Sequence, residues 1–189
     1  MRLSIIGTGY VGLVTGACFA KLGHSVICVD IDPDKVQKIN KSISPIYEQG
    51  LTSLLATYKN NITATNDINS AIMNTDITFV CVGTPSMKNG SIDLSYLKEA
   101  TKQIATILKN KKTWHLIVIK STVLPGTTQQ IVLPLLEQYS GKKAGTDFGL
   151  AMNPEFLKEG VAIQDFLQPD RIVFGFYDET SRNTLQEQG

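Results

Sequence analysis

Apolar residues in this chain gather in short runs, and between the runs they recur at helical spacing. Residues 3–6 (LSII), 25–29 (SVICV), 61–65 (NITAT), 76–82 (DITFVCV) and 115–119 (HLIVI) predict strands. Between the first two, YVGLVTGACFAKLG places small and apolar residues at a helical period and stops at Gly23. A second helix is expected from Pro33, a suitable first helical residue, through Lys38. A third carries Leu94, Leu97, Ala100, Ile104 and Leu108 on one face. A fourth runs from about Thr127, where Thr127 or Thr128 is expected to cap it, to Tyr139, with Pro134 expected to kink it. A last strand, RIVFG, is expected at 171–175, followed by a helix capped by Asp178.

Short strands rich in Val and Ile that alternate with helices predict an α/β fold: a doubly wound, mostly parallel sheet with helices on both faces. The expected division is a dinucleotide-binding domain over 1–175 and the start of a helix over 176–189, leading to a further domain. A polar run that ends soon after a cap reads as a cut rather than a finish.

Composition narrows the function classes. Lys and Arg total 18 against 17 Asp and Glu, so no overall field attracts nucleic acid or a membrane surface. The longest basic run, Lys109 to Lys112 with Asn110 between, lies between a helix and a strand and reads as a solvated loop. No stretch approaches the ~18 apolar residues of a spanning helix. The N-terminus lacks the long apolar core of a signal peptide, so a cytoplasmic protein is expected. Cys18, Cys28 and Cys81 fall inside element interiors, which suits reduced core thiols. His24 and His115 are far apart, and no metal site is expected.

The candidate chemistry begins at GTGYVG, Gly7 to Gly12. It fits G-x-G-x-x-G, follows a predicted strand and opens a helix. Gly7 permits the tight turn, Gly9 lets a pyrophosphate approach the backbone, and Gly12 allows close helix–strand packing. The free amides of Tyr10 and Val11 stand at the positive helix end, where a phosphate belongs. Asp30 ends the second strand, where a carboxylate accepts the ribose hydroxyls of NAD. Asp32 adds negative charge and no Arg follows directly, which favours NAD over NADP. Two further strands end in VGTPS (82–86) and KSTVLPGTT (120–128), so Thr84, Ser121 and Thr122 are expected at the cofactor rim.

MNPEFLKEG, Met152 to Gly160, sets Glu155 and Glu159 four residues apart, a spacing at which like charges on a helix repel slightly. Folding alone gives no reason for the pair.

IIGTGYVGLVTGACFAKLGHSVICVDID, VGTP, KSTVLPGTT and NPEFLKEGVAIQDFLQPDRIVFG together resemble the UDP-glucose/GDP-mannose dehydrogenase family across essentially the whole chain. PDRIVFG is more similar to the UDP-glucose branch than to the GDP-mannose branch. The resemblance implies oxidation of a nucleotide sugar to the acid in two NAD-linked steps, through a thiol-bound intermediate. It implies Glu155 as the base for thioester hydrolysis and Thr122 as a positioner of water or the reacting group. Glu155, Phe156, Leu157, Lys158 and Glu159 would line the substrate, with Glu159 also active in catalysis and reaching toward the cofactor, and Lys35 would meet the adenosine ribose or phosphate. The full-length enzyme would be a homodimer, and this chain alone a monomer. The family's nucleophilic cysteine lies in a Gly-rich segment that has no match here, so the chain alone is expected to be inactive. The alternatives to UDP-glucose as substrate are GDP-mannose or another nucleotide sugar, and the other class to weigh is a stand-alone NAD-sensing module.

Overall fold

The computed structural model describes residues 1–186. Six parallel strands make the sheet: β1 (Arg2–Ile6), β2 (Ser25–Val29), β3 (Ile62–Thr65), β4 (Ile77–Val80), β5 (Leu116–Ile119) and β6 (Gly149–Met152). A two-residue β7 (Gly175–Phe176) joins antiparallel at the edge, giving the order β3-β2-β1-β4-β5-β6-β7. Every side chain of β4 and β5 is buried, as expected of central strands covered on both faces.

Two apolar layers flank the sheet. On one face pack α1 (Tyr10–Lys21), α2 (Pro33–Asn40), α3 (Leu51–Thr57) and α7 (Ala162–Leu167), around Leu13, Val14, Leu51 and Leu55. On the other lie α4 (Ile68–Met73), α5 (Ser95–Asn110) and α6 (Leu133–Ser140), around Ile72, Leu97, Ile104 and Leu136. α8 (Glu179–Gln186) packs on β6, where a Cβ on Gly149 would lie 2.5 Å from both Ser181 Oγ and the Trp114 ring. The expected cap of this last helix is present, since Ser181 N donates to Asp178 Oδ1 at 2.8 Å. No helix among the described residues is long and apolar enough to cross a membrane.

Several sequence expectations need correction. The strand expected at 171–175 contributes only Gly175, while β6 over 149–152 carried no strand signal strong enough to be read. The helix expected over 127–139 divides into a π turn at Thr128–Val132 and α6, with Pro134 in the first turn of α6 rather than inside a helix. A wide turn admits the proline ring without breaking a helical ladder. Neither threonine expected to cap this segment makes a side-chain cap bond. Lys111 is not solvated. It is 4% exposed, and its Nζ donates to the carbonyls of Ile72 (2.7 Å), Met73 (3.2 Å) and Thr75 (2.8 Å), closing the end of α4.

Below the sheet, Ser4, Thr75, Thr78 and His115 form a buried polar cluster. His115 Nδ1 lies 3.2 Å from the Thr75 carbonyl and so carries the proton, leaving Nε2 to accept from Thr78 Oγ1 at 2.7 Å. Burial pushes the ring down to about 3 from its ordinary 6.5. A depressed folded value means that the unfolded chain takes up the proton first. The stability held above pH 6.5 is therefore lost progressively as pH falls toward 3. His115→Gln should flatten urea-measured stability between pH 6.5 and 4. An unchanged slope would show that other groups govern acid sensitivity.

Candidate functional site

The strand order reverses between β1 and β4, and the carboxyl ends of these strands open onto one crevice. There Gly7 takes φ 93°, a conformation that side chains resist, and its amide donates to the Val29 carbonyl at 2.8 Å. Gly9 caps α1, and a Cβ built on it meets nothing within 4 Å. Gly12 is the opposite case, because a Cβ there would stand 1.9 Å from the Gly7 carbonyl oxygen. One glycine makes the turn, one leaves an open approach and one permits contact. Tyr10, Val11 and Gly12 begin the helix, so their amides have no acceptor within it and face the open side of Gly9.

Asp30 stands beside this loop, at the end of β2. Its Oδ2 accepts from Thr8 N (2.8 Å) and Thr8 Oγ1 (2.5 Å), and its Oδ1 accepts from Asp32 N (3.0 Å). Lys35 Nζ lies 3.8 Å from Oδ2. Burial works against the charged form, but these donors and the lysine outweigh it and hold the carboxyl below its ordinary value. Asp30 is therefore an ionised acceptor fixed to the glycine loop itself. Its neighbour Ile31 is 94% exposed, an unusual position for so large an apolar side chain.

The residues expected at the rim fall into two kinds. Ser121 is buried, and its hydroxyl donates to the Val82 carbonyl at 2.6 Å. Thr84 Oγ1 donates to the Thr122 carbonyl at 2.6 Å. Both hydroxyls thus tie the loop after β4 to the loop after β5, while the side chain of Thr122 stays exposed.

Glu155 and Glu159 do not share a helix face, because residues 153–158 have no regular structure and the chain turns only at 159–161. Pro154 and a local bond decide this: Leu157 N donates to Glu155 Oε2 at 2.8 Å, turning the side chain onto its own backbone. Glu155, Phe156, Leu157 and Lys158 border a cleft of 1020 Å³ that Phe19, Phe79 and Phe166 also line. The Arg171 guanidinium sits 5.0 Å from the centre of the Phe156 ring. Glu159 and the glycine-loop residues lie outside that lining, so the expected residues form two adjoining groups rather than one.

Three residues that sequence reasoning missed hold the groups in place. Lys120, buried at the end of β5, donates from Nζ to Asn153 Oδ1 at 2.7 Å, and Asn153 Nδ2 donates to the Val173 carbonyl at 2.9 Å. Burial pushes the Lys120 ammonium down, against the attraction of Glu155. A lysine closing the apolar run HLIVI was a signal available in the sequence. Glu48, also buried, accepts from Gly160 N (2.8 Å), Ala162 N (2.9 Å) and the Tyr10 hydroxyl, and nothing in its local sequence marks it.

The glycines separate by experiment. Gly12→Ala should cost about 3 kcal/mol or more in urea unfolding, since backbone must move to admit the methyl. Gly9→Val should leave the circular dichroism spectrum and the melting temperature nearly unchanged yet abolish NAD binding by calorimetry. Equal stability loss in both would remove the distinction. Asp30→Ala should weaken NAD and erase discrimination against NADP, about 1–3 kcal/mol of selectivity. An unmodified chain that bound NADP more tightly would contradict the role given to Asp30.

Residues 1–188 match the model of the UDP-glucose/GDP-mannose dehydrogenase family, NAD binding domain. A GDP-mannose 6-dehydrogenase of Pseudomonas syringae pv. tomato is 48% identical over 190 residues, covering 98% of this chain and 43% of that protein. The UDP-glucose 6-dehydrogenase AglM of Haloferax volcanii is 47% identical, covering 99% and 44%. Among solved structures, a ternary complex of GDP-mannose dehydrogenase from Pseudomonas aeruginosa superposes with a TM-score of 0.97 at 44% identity, covering 99% of this chain and 43% of that one. The chain thus spans less than half the length of the curated relatives it matches. With the crevice, the glycine loop and the fixed carboxylate in place, it belongs to the UDP-glucose/GDP-mannose dehydrogenase family and carries that family's NAD-binding domain.

Proposed function

We propose that the chain is the NAD-binding part of a nucleotide-sugar 6-dehydrogenase that oxidises UDP-glucose to UDP-glucuronate. The observation that carries the reading is the adjacency of two differently built groups. An ionised Asp30 is locked to an open glycine loop, and the Tyr10 hydroxyl at the end of that loop reaches the Lys158 carbonyl (3.3 Å), on the border of the cleft that Glu155 and the buried Lys120 also line. The open face of Gly9 and the free amides of Tyr10 and Val11 fit a pyrophosphate, and Asp30 with Lys35 fits the ribose. NAD, when bound, supplies a hydride acceptor.

The residues of this chain then bind, orient and move protons. Glu155 borders the cleft and is the base that activates water for thioester cleavage. Thr122 lies exposed on a loop pinned by Thr84, which supports its reading as the residue that holds water or the reacting group. Phe156, Leu157 and Lys158 form one wall for the substrate, and the family resemblance gives Glu159 to the cofactor. The nucleophilic thiol is not among these residues. Cys18, Cys28 and Cys81 are buried, and burial pushes each thiol up to about 12. Such thiols are inert.

The segment Pro169 to Gly175 favours UDP-glucose, through its similarity to that branch. The second reading, GDP-mannose as substrate, is favoured by GDP-mannose 6-dehydrogenases that are up to 48% identical.

The purified 189-residue chain should bind NAD by calorimetry but produce no NADH with either nucleotide sugar. Sustained NADH production would force one of the three cysteines into the mechanism. In the full-length enzyme, UDP-glucose should be oxidised with the higher kcat/KM, and preference for GDP-mannose would transfer the proposal to the second reading. Glu155→Gln in that enzyme should slow turnover about 10²–10⁴-fold and leave a covalent adduct detectable by mass spectrometry. Unchanged turnover without adduct would remove Glu155 as the base.

A further inference from the structure

Glu48 is a carboxylate in an unusual position. It is 6% exposed, and no ion pair among the described residues includes it. Burying an unpaired charge is costly unless several donors replace water. Here they do. Oε2 accepts from the Tyr10 hydroxyl and from Gly160 N at 2.8 Å, and Oε1 accepts from Ala162 N at 2.9 Å. Burial opposes the charge, but the Tyr10 hydroxyl and these backbone amides outweigh it and hold the carboxyl below its ordinary value. The Tyr10 phenol is pushed up to about 12, by burial first and then by its bond to Glu48, so it remains a donor.

The partners come from two parts of the chain, both distant from Glu48. Tyr10 is the first residue of α1, and its backbone amide belongs to the set facing the pyrophosphate position. Its hydroxyl also lies 3.0 Å from Gly160 N and 3.3 Å from the Lys158 carbonyl. Ala162 opens α7, whose first turn Glu48 therefore closes. Around these contacts the acidic segment has few bonds of its own: Leu157 N to Glu155, Lys158 N to Asp165 Oδ2 at 3.0 Å, and Val161 N to the Lys158 carbonyl at 3.2 Å. Tyr10 and Glu48 thus join the nucleotide loop to the end of the segment that carries Glu155 and Glu159.

We propose that Glu48 is a positioning residue for the reaction, which with Tyr10 transmits occupancy of the nucleotide loop to residues 158–162 and so orders the substrate wall. The inference rests on the NAD reading above. A nucleotide that engages the amides of Tyr10 and Val11 restrains the first turn of α1. A restrained Tyr10 presents its hydroxyl to Glu48 and Gly160 in one geometry, and residues 158–162 lose freedom with it. Ordering on one side thus lowers the ordering cost on the other, which is positive coupling without a change of fold. A purely structural cap on α7 would stabilise these residues equally with and without nucleotide.

Amide hydrogen exchange by mass spectrometry on this chain, with and without saturating NAD, separates the two. NAD should slow exchange over peptides covering 158–162 by about fivefold or more, the lower end of ordinary site-to-site coupling. In Glu48→Ala, NAD should still bind by calorimetry while this slowing disappears. Glu48→Gln, isosteric and keeping one good acceptor, should show an intermediate slowing and guards against a folding defect in the alanine variant. Binding of NAD without slowing at 158–162 in the unmodified chain would overturn the coupling alone. Full slowing in Glu48→Ala would do the same. Failure of the unmodified chain to bind NAD at all would overturn the NAD reading together with the coupling.

Discussion

The contact between the Gly12 Cα and the Gly7 carbonyl is the constraint on which this structure turns. A single added carbon at Gly12 would lie 1.9 Å from that oxygen and 3.0 Å from Cys81 Cβ. Because nothing larger than hydrogen fits, α1 starts directly over the ends of β1 and β4. Its unbonded amides then face the crevice where the strand order reverses. The same placement brings Thr8 onto Asp30 and the Tyr10 hydroxyl onto Glu48. Loosening this packing would displace the free α1 amides, the Asp30 carboxylate and the tie to the acidic segment together.

Three buried charged groups near the crevice, Asp30, Glu48 and Lys120, are held mainly by neutral donors and acceptors. Among the described residues, only Asp30 of the three has an opposite charge within 4 Å, and Lys35 stands at 3.8 Å. Apolar residues of similar size would often stabilise a fold as well or better. Desolvated charge gathered around one crevice marks it as a candidate binding site.

Much of the fold was legible because central parallel strands announce themselves as apolar runs, and because glycine spacing, strand and acid agree in register over residues 3–30. Other features depended on contacts far away in sequence. GLAM at 149–152 follows a glycine-bearing turn and lacks β-branched residues, so only its pairing with β5 makes it a strand. RIVFG has strand composition, yet Ile172 is 60% and Val173 43% exposed, and neither enters the sheet; Ile172 borders the cleft instead. Lys111 reads as part of a basic run, but the open end of α4 supplies three carbonyls that draw it inward. The helical spacing of Glu155 and Glu159 misled because a two-residue turn and Pro154 outweigh it. Glu48 could not be found locally, since its partners lie near residues 10 and 160.

The most direct test of the central claim is a crystal structure of this chain grown with NAD. The expected map places the pyrophosphate within hydrogen-bond distance of the Tyr10 and Val11 amides, over the open face of Gly9. The adenosine ribose hydroxyls should sit on Asp30, with the base against Ile31. A nucleotide lodged instead in the cleft beside Phe79 and Phe166, with the glycine loop bare, would contradict the assignment of this crevice.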